Sequence, residues 1–393
     1  MKNLIYLFFL SSIFLSSCET EIDTIAEYKD ITVVYGLLNP NETDHYIRIT
    51  KAFSGEGNAN DMANDANNFY YADGEISVTI DEYDASGVFK KSFSLSRIDV
   101  NSIVPPIPKD DGTFDNSQNI LYKFTEPNIK QDYTYKLKIV NNTLEKEITA
   151  ETTIANNPTL ANQVQFEKGS IKLANINGTY LTHSFTIKPS FNTGRVKVNF
   201  IFNYTEHYTN LTNQNKQVKI SLGEQKTTST EGGEVLVYTI EGSNLFSALQ
   251  NNIPVTVANL KSRSISNATL EIIAAGTDLS TYISVNEPST SVNQTKPEFT
   301  NLTNALGVFS SRNTTLIYSP SFLTQSTPEP ESLYGFYDDG QVNYDNNTLK
   351  ALLSMGLEFC NPRNEPITLP VPPPAPRCET VIDTAYWYTI NPN

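Results

Sequence analysis

Ile76-Ser77-Val78-Thr79-Ile80 and Tyr135-Lys136-Leu137-Lys138-Ile139 alternate apolar and polar side chains without a break. Successive side chains of a strand point to opposite faces, so a period of two describes a sheet with one face in a core and the other in water. Outward from these stretches lie similar short runs: Ile31–Leu38, His45–Phe53, Val88–Ile98, Ile120–Phe124 and Glu145–Thr153. They are rich in Val, Ile, Tyr, Phe and Thr, and Gly, Asn, Asp or Pro separates them. Seven such strands between residues 31 and 155 is the number an immunoglobulin-like sandwich uses, here without the inter-sheet cysteine pair of antibody domains.

Asn156-Asn157-Pro158 interrupts the pattern and marks a boundary. Strand-like runs resume at Val164–Glu167, Tyr180–Ile187, Arg195–Tyr208, Gln217–Leu222, Glu234–Ile240 and Ala268–Ala274. One helix is expected at Asn244–Asn252, capped by Ser243, with Leu245, Phe246 and Leu249 on one face and Pro254 as its stop. A second is expected at Thr348–Phe359, although Gly356 weakens it. A Pro-rich loop and a strand through Trp387 would complete the chain. The expectation is a mainly β protein of tandem immunoglobulin-like β-sandwich modules with a few short helices. The first sandwich spans 31–156, a second β-rich domain spans 159–320, and 321–393 form a C-terminal segment.

The first eighteen residues read as an address. Met1-Lys2-Asn3 is a short basic start, and Leu4 to Leu15 is an apolar run too short to cross a bilayer as a stable helix. The run ends in Leu15-Ser16-Ser17-Cys18, which resembles the lipobox of bacterial lipoproteins. That resemblance implies a signal peptide over 1–17, cleavage before Cys18, and acyl chains on Cys18 that hold the protein in the outer membrane. Several chains together give the stable anchoring that one chain cannot. The alternative is an ordinary secretory signal with an incidental cysteine. Glu19-Thr20-Glu21-Ile22-Asp23 follows, three acids in five positions within an acidic tether over 18–30. It resembles the tag that sends Bacteroidota lipoproteins to the cell surface; the alternative is a solvated tether facing the periplasm.

Lipidation of Cys18 leaves Cys360 and Cys378 as an even pair in an oxidising compartment. A disulfide between them would close the Pro-rich loop and stabilise by roughly 3 kcal/mol on the chain-entropy model. Metal ligation is the weaker alternative, because two thiolates without a nearby histidine make a poor zinc site.

Two further stretches carry a family resemblance. Val33-Val34-Tyr35-Gly36-Leu37-Leu38-Asn39-Pro40 with His45-Tyr46-Ile47-Arg48-Ile49 is the first, and Phe299-Thr300-Asn301-Leu302-Thr303-Asn304-Ala305-Leu306-Gly307-Val308-Phe309-Ser310 the second. They resemble an uncharacterised family of Bacteroidota surface lipoproteins, known only as a domain of unknown function and often encoded near TonB-dependent outer-membrane receptors. The resemblance implies no catalytic residue. Gly307, between bulky Leu306 and Val308, reads as a close backbone approach or a tight bend.

The chain offers little on which to build catalysis. It has three histidines, His45, His183 and His207, of which the first two read as edge or surface residues. Glu206 and His207 adjoin, but neighbouring strand residues point to opposite faces. No zinc-protease, nucleophile-elbow or phosphate-loop motif is present. Three Asp/Asn-rich loops, 61–68, 110–116 and 338–346, have calcium-like composition but not the EF-hand spacing, and the same residues make turns. Phe69-Tyr70-Tyr71 is the candidate binding platform, with Tyr204, Tyr208 and Tyr386-Trp387-Tyr388 as further aromatic candidates. With 43 acidic against 28 basic residues, nucleic acid is not an expected partner. The function expected is therefore a non-enzymatic, membrane-anchored binding or accessory module without a cofactor or metal. Its expected partner is an outer-membrane protein such as a TonB-dependent receptor, with glycan or nutrient binding as the alternative and an envelope hydrolase as a distant third.

Overall fold

The computed structural model describes residues 31–52, 59–110, 112–167, 171–175, 178–287, 298–320 and 347–360. Eight strands come from the first half: β1 (Ile31–Leu38), β2 (Asp44–Ala52), β3 (Ile76–Tyr83), β4 (Phe89–Ser94), β5 (Ser96–Asp99), β6 (Ile120–Thr125), β7 (Thr134–Asn141) and β8 (Lys146–Thr153). Seven follow: β9 (Thr159–Leu160), β10 (Thr182–Lys188), β11 (Thr193–Tyr208), β12 (Gln214–Lys226), β13 (Leu236–Glu241), β14 (Leu260–Gly276) and β15 (Ala305–Pro320). The fold is mainly β, with sandwich-like packing of sheets and a few short helices, as the alternation requires.

The two alternating stretches are β3 and β7, and they pair antiparallel with Val78 opposite Ile139 and Ile80 opposite Leu137. Together with β4 and β8 they form a four-stranded sheet in the order β4-β3-β7-β8. Its apolar face packs Ile80, Leu137 and Ile148 against Val34, Ile47, Ile49 and Phe309 of a larger sheet. A three-stranded sheet, β13-β10-β9, packs Phe185, Ile187, Tyr238 and Ile240 against Val198, Phe200, Leu270 and Ile272. The helix Gly242–Asn252 adds Leu245, Phe246 and Leu249 to this second core.

The larger sheet runs across both halves of the chain in the order β12-β11-β14-β15-β1-β2-β6-β5. β15 joins them. Its first half lies parallel to β1, from Ala305 opposite Thr32 to Ser311 opposite Leu38. Its second half pairs antiparallel with β14, from Arg312 opposite Ala275 to Pro320 opposite Asn267. Phe309 belongs to the first core and Ile317 to the second, and an even spacing places both on one face of the strand. The two small sheets therefore sit side by side on one face of a shared sheet. The boundary at 156–158 separates the small sheets, not the large one.

Gly307 is the point at which β15 meets β1. Its φ is +104°, and a Cβ there would stand 2.0 Å from the Val34 carbonyl oxygen. Only glycine fits so close a backbone approach. Across the same pair, Gly36 makes room for the ring of Phe309.

Several local expectations change. Val88–Ile98 is two strands, because the chain crosses between sheets at buried Leu95: β4 pairs with β3, and β5 pairs with β6. Val164–Glu167 forms no strand; Gln163–Glu167 is one short helix. The helix Gly242–Asn252 starts earlier than expected, with Glu241 at its N-cap and no side-chain cap bond, so Ser243 is not the cap. The C-terminal helix covers only Asn347–Leu353. Past Leu353 the chain turns through Gly356 (φ +69°) and Glu358 (φ +57°), conformations that a helix cannot contain. A further helix, Thr277–Asn286, forms where none was expected.

Candidate functional site

The expected aromatic platform is core. Phe69, Tyr70 and Tyr71 are all at most 4% exposed. Phe69 and Tyr70 pack with Ile120, and the Tyr71 hydroxyl meets Thr32 Oγ1 at 2.7 Å. Phe69 ends a short helix whose N-cap is Asp65, and Tyr70 and Tyr71 follow it with their rings turned inward rather than into solvent. Tyr204 is buried too, and Tyr208 donates its hydroxyl hydrogen to Glu206 at 2.8 Å. Of the calcium-like loops, 61–68 is consumed by short helices and Asp115 accepts the Ser117 N–H at 3.2 Å, which is turn chemistry. Among the described residues no cluster of His, Cys, Asp and Glu is arranged to hold a metal. Cys18, Cys378, the 338–346 loop and Tyr386-Trp387-Tyr388 lie outside the described residues; Cys360 lies within them and is buried.

Of the histidines, His45 departs from its expected placement. His45 is buried, stacked on Phe124, with Nε2 at 3.0 Å from the Glu126 carbonyl. His183 is half-buried beside the ring of Phe185, and burial pushes its pKa below the ordinary value. Glu206 and His207 do point to opposite faces. Glu206 enters the core, where Oε1 meets Nε and Nη2 of fully buried Arg263, each at 2.9 Å. Arg263 also donates to the Leu357 and Pro254 carbonyls at 2.7 and 2.8 Å. Its own backbone pairs with Glu358 and Cys360. This clasp fastens residues 357–360 to β14, and it satisfies a charge that would otherwise be costly to bury.

His207 lies on the other face, within a lattice of polar side chains spread over β11, β12 and β14. Asn199 donates to Glu271 at 2.7 Å, and Lys219 meets the same carboxylate at 2.5 Å. Burial pushes the Glu271 carboxyl up, but the Lys219 ammonium and the Asn199 amide outweigh it and hold the group below its ordinary pKa. Asn203 donates to Asn267 at 2.6 Å and to Thr269 at 3.0 Å. Thr205 reaches Asn215 and Ser266, each at 2.9 Å. His207 Nε2 stands 2.7 Å from Ser264 Oγ, and burial lowers its pKa. The Ser264–His207 contact has nucleophile–base length, yet it is one rung in a ladder of similar hydroxyl and amide contacts. Asn199 and Thr269 form a buried floor, while Gln217, Lys219 and Ser221 form an exposed rim. Such a face can donate and accept hydrogen bonds across a broad area. The signal for it was Asn199, Asn203 and Thr205 on one face of β11, interrupted by Ile201, opposite the apolar Val198, Phe200 and Phe202.

A different polar cluster seals the junction of the two halves. Side chains from the second family-like stretch cap the open edge of β8. Asn304 donates to the Glu147 carbonyl at 3.1 Å, Thr303 Oγ1 accepts the Thr149 N–H at 2.9 Å, and Asn301 donates to the Glu151 carbonyl at 3.3 Å. Further along, Ser311 bonds both Thr153 O and Ala155 N at 2.9 Å, and Asn313 donates to Ala155 O at 2.9 Å. On the opposite face the helix Thr277–Asn286 sits over the seam, close enough that a Cβ on Gly194 would be 2.7 Å from Ser280 Cβ. Burial pushes the Asp278 carboxyl on this helix up, against a 3.0 Å hydrogen bond from Asn301.

No protein-family model matches this chain, and no curated protein matches it. Among solved structures, the C-terminal globular domain of an oligosaccharyltransferase from Pyrococcus abyssi aligns with 59% of this chain and 44% of its own, at 10% identity and a TM-score of 0.22. The BSP domain of a biofilm associated protein aligns with 77% of this chain and 62% of its own, at 10% identity and a TM-score of 0.14. This chain thus spans less than two thirds of either structure, and likeness at this level carries no functional argument.

Proposed function

We propose that this chain is a non-enzymatic lipoprotein of the outer membrane that acts as a binding or accessory module for another envelope protein, with a TonB-dependent receptor as the partner class. The observation that carries the reading is Leu15-Ser16-Ser17-Cys18 followed at once by Glu19, Glu21 and Asp23. Acyl chains on Cys18 hold the protein to the outer leaflet or, if the acidic tag is not read, to the periplasmic face. Residues 18–30 lead to Ile31, and the shared sheet presents the body to a partner. The Cys360–Cys378 disulfide belongs to the same reading, since an exported chain meets an oxidising compartment.

A fatty-acid probe fed to cells should label the protein, and Cys18→Ser should abolish the label; persistent labelling of the Ser variant would end the lipobox reading. Capture after gentle solubilisation should return one dominant outer-membrane β-barrel. Glycan binding is the second reading, favoured by the polar lattice of Asn203, Asn267, Thr269 and Lys219, whose amides, hydroxyls and ammonium suit a polyhydroxylated ligand. A glycan array separates the two readings: signal on the array, lost in Asn203→Ala, would displace the receptor reading.

A further inference from the structure

The end of the shared sheet at which Ile31 starts β1 gathers several other chain ends. Ile31 lies opposite Ala52, and Thr32 lies opposite Ala305. β6 runs antiparallel to β2, and β5 antiparallel to β6, so β5 points the same way as β2 and Asp99 ends it on this side. The loop from 100 to 119 therefore projects beyond the end where the tether enters. A collar braces it: Val100 N–H donates to Asn119 O at 3.0 Å, Ile107 N–H to Val100 O at 3.1 Å, and the Asn119 side chain to Ile107 O at 3.0 Å. Arg48 in turn holds Asn119 Oδ1 at 2.9 Å.

The collar holds out an unusual tip. The nine residues from Val100 to Pro108, Val-Asn-Ser-Ile-Val-Pro-Pro-Ile-Pro, carry no charge in a chain of net charge −15. Val104 is 97% exposed, and Pro105, Pro106 and Pro108 are exposed around it. Leu144, on the β7–β8 turn, is 50% exposed at the same end, where Asn304 fastens the start of β8 beside Ala305.

We propose that this end is a membrane foot, with the Ile103–Pro106 tip resting in the headgroup layer of the bilayer that holds Cys18. The proposal rests on the lipobox reading. The chain itself argues for lipid as the occupant: twelve residues, 19 to 30, separate the anchor at Cys18 from Ile31, a span of at most about 45 Å when fully extended. The opposite end stands away. β15 continues nine residues past Ser311, about 30 Å at strand rise, and β14 extends further from Asn267 to Leu260. The tip is apolar rather than cationic; Lys109 beside it is drawn back onto the Asp115 carbonyl at 2.9 Å, and Asp99, Asp110 and Asp115 outnumber it. The tip therefore binds shallowly, through apolar area, without selecting anionic lipid.

The test uses the full-length lipidated chain with Trp387→Phe, which removes the single tryptophan, and Val104→Trp, reconstituted in phosphatidylethanolamine–phosphatidylcholine vesicles. Blue-shifted emission and quenching by bromine-labelled acyl chains are expected at position 104. Leu211→Trp, at the far end of β11 and exposed, should stay water-like and unquenched. Mass spectrometry of Cys18 separates the two readings. A fatty acid on Cys18 with water-like, unquenched Trp at 104 overturns the foot and leaves the anchor standing. Absence of the fatty acid overturns the anchor, and the foot with it. Equal quenching at 211, or a shift at 104 seen only in native membranes with crosslinks to protein, overturns the foot in favour of an unoriented body or a protein partner.

Discussion

The first core joins Val34, Ile47 and Phe309 of the large sheet to Ile80, Leu137 and Ile148 of the four-stranded one, and its border with the second half is closed by neutral amides and hydroxyls bonded to backbone. The second core joins Phe200, Phe202 and Leu270 to Phe185 and Tyr238, and it also takes in Leu349, Leu352 and Phe359 from the C-terminal segment. It is fastened by a fully buried guanidinium–carboxylate pair. Uncharged seams tolerate the loss of one partner at modest cost, whereas a buried charge left alone does not. The two halves share a strand but should fail differently.

The comparison breaks most completely at Gly307. A side chain there collides with the Val34 carbonyl and also needs a φ that L residues rarely adopt. Gly307→Val should cost more than about 4 kcal/mol and destroy both cores together, seen as loss of soluble folded protein in thermal unfolding. Melting of one half with the other intact would show that β15 does not couple them.

The clasp comes next. Arg263→Met leaves Glu206 buried and uncompensated, at a cost of about 3–5 kcal/mol. Hydrogen exchange should quicken in β11, β14 and residues 357–360 while β3 and β7 keep their protection. The double variant Arg263→Met with Glu206→Met should recover part of the loss; an unchanged loss would mean that packing, not charge, governs the site.

At the seam the expected effect is smaller. Asn301→Ala removes donors to Glu151 O, Asp278 and Phe309 O, and the acceptor of the Phe309 N–H, for about 1–3 kcal/mol. The β8 amides should exchange faster with little change in β11, and limited proteolysis reports the same asymmetry.

The smallest effect concerns pH. Burial holds both His183 and His207 below the ordinary histidine pKa, so as pH falls the unfolded chain takes up protons first. Their contribution to stability is complete above about pH 6.5 and declines as pH falls below it. The second core should therefore melt at lower temperature near pH 5 than near pH 7, and His183→Phe should flatten that slope. A slope that His183→Phe leaves unchanged would assign it to other groups.

Much of this was legible in the chain. Period-two alternation placed β3 and β7, and the position of Gly307 between bulky neighbours marked a close approach that the structure places against Val34. Phe69-Tyr70-Tyr71 misled, because exposed and buried aromatics look alike in sequence and a four-residue helix decides which way they face. The polar lattice was visible only as one strand's alternation; that Asn199 meets Glu271 and Asn203 meets Asn267 depends on how β11 registers with β14. Val88–Ile98 looked continuous because nothing local to Leu95 records that its neighbours pair with different sheets.

By itself the sequence determined the β class and the two alternating strands β3 and β7, since each follows from side-chain order over a few residues. Only the tertiary structure decided that Thr32 would pair with Ala305, that two small sheets would share one large one, and that Arg263 would hold Leu357. Those choices join residues far apart in the chain. They are made by which backbones can approach closely enough to bond and which buried charges find a partner, and neither is encoded in any single stretch.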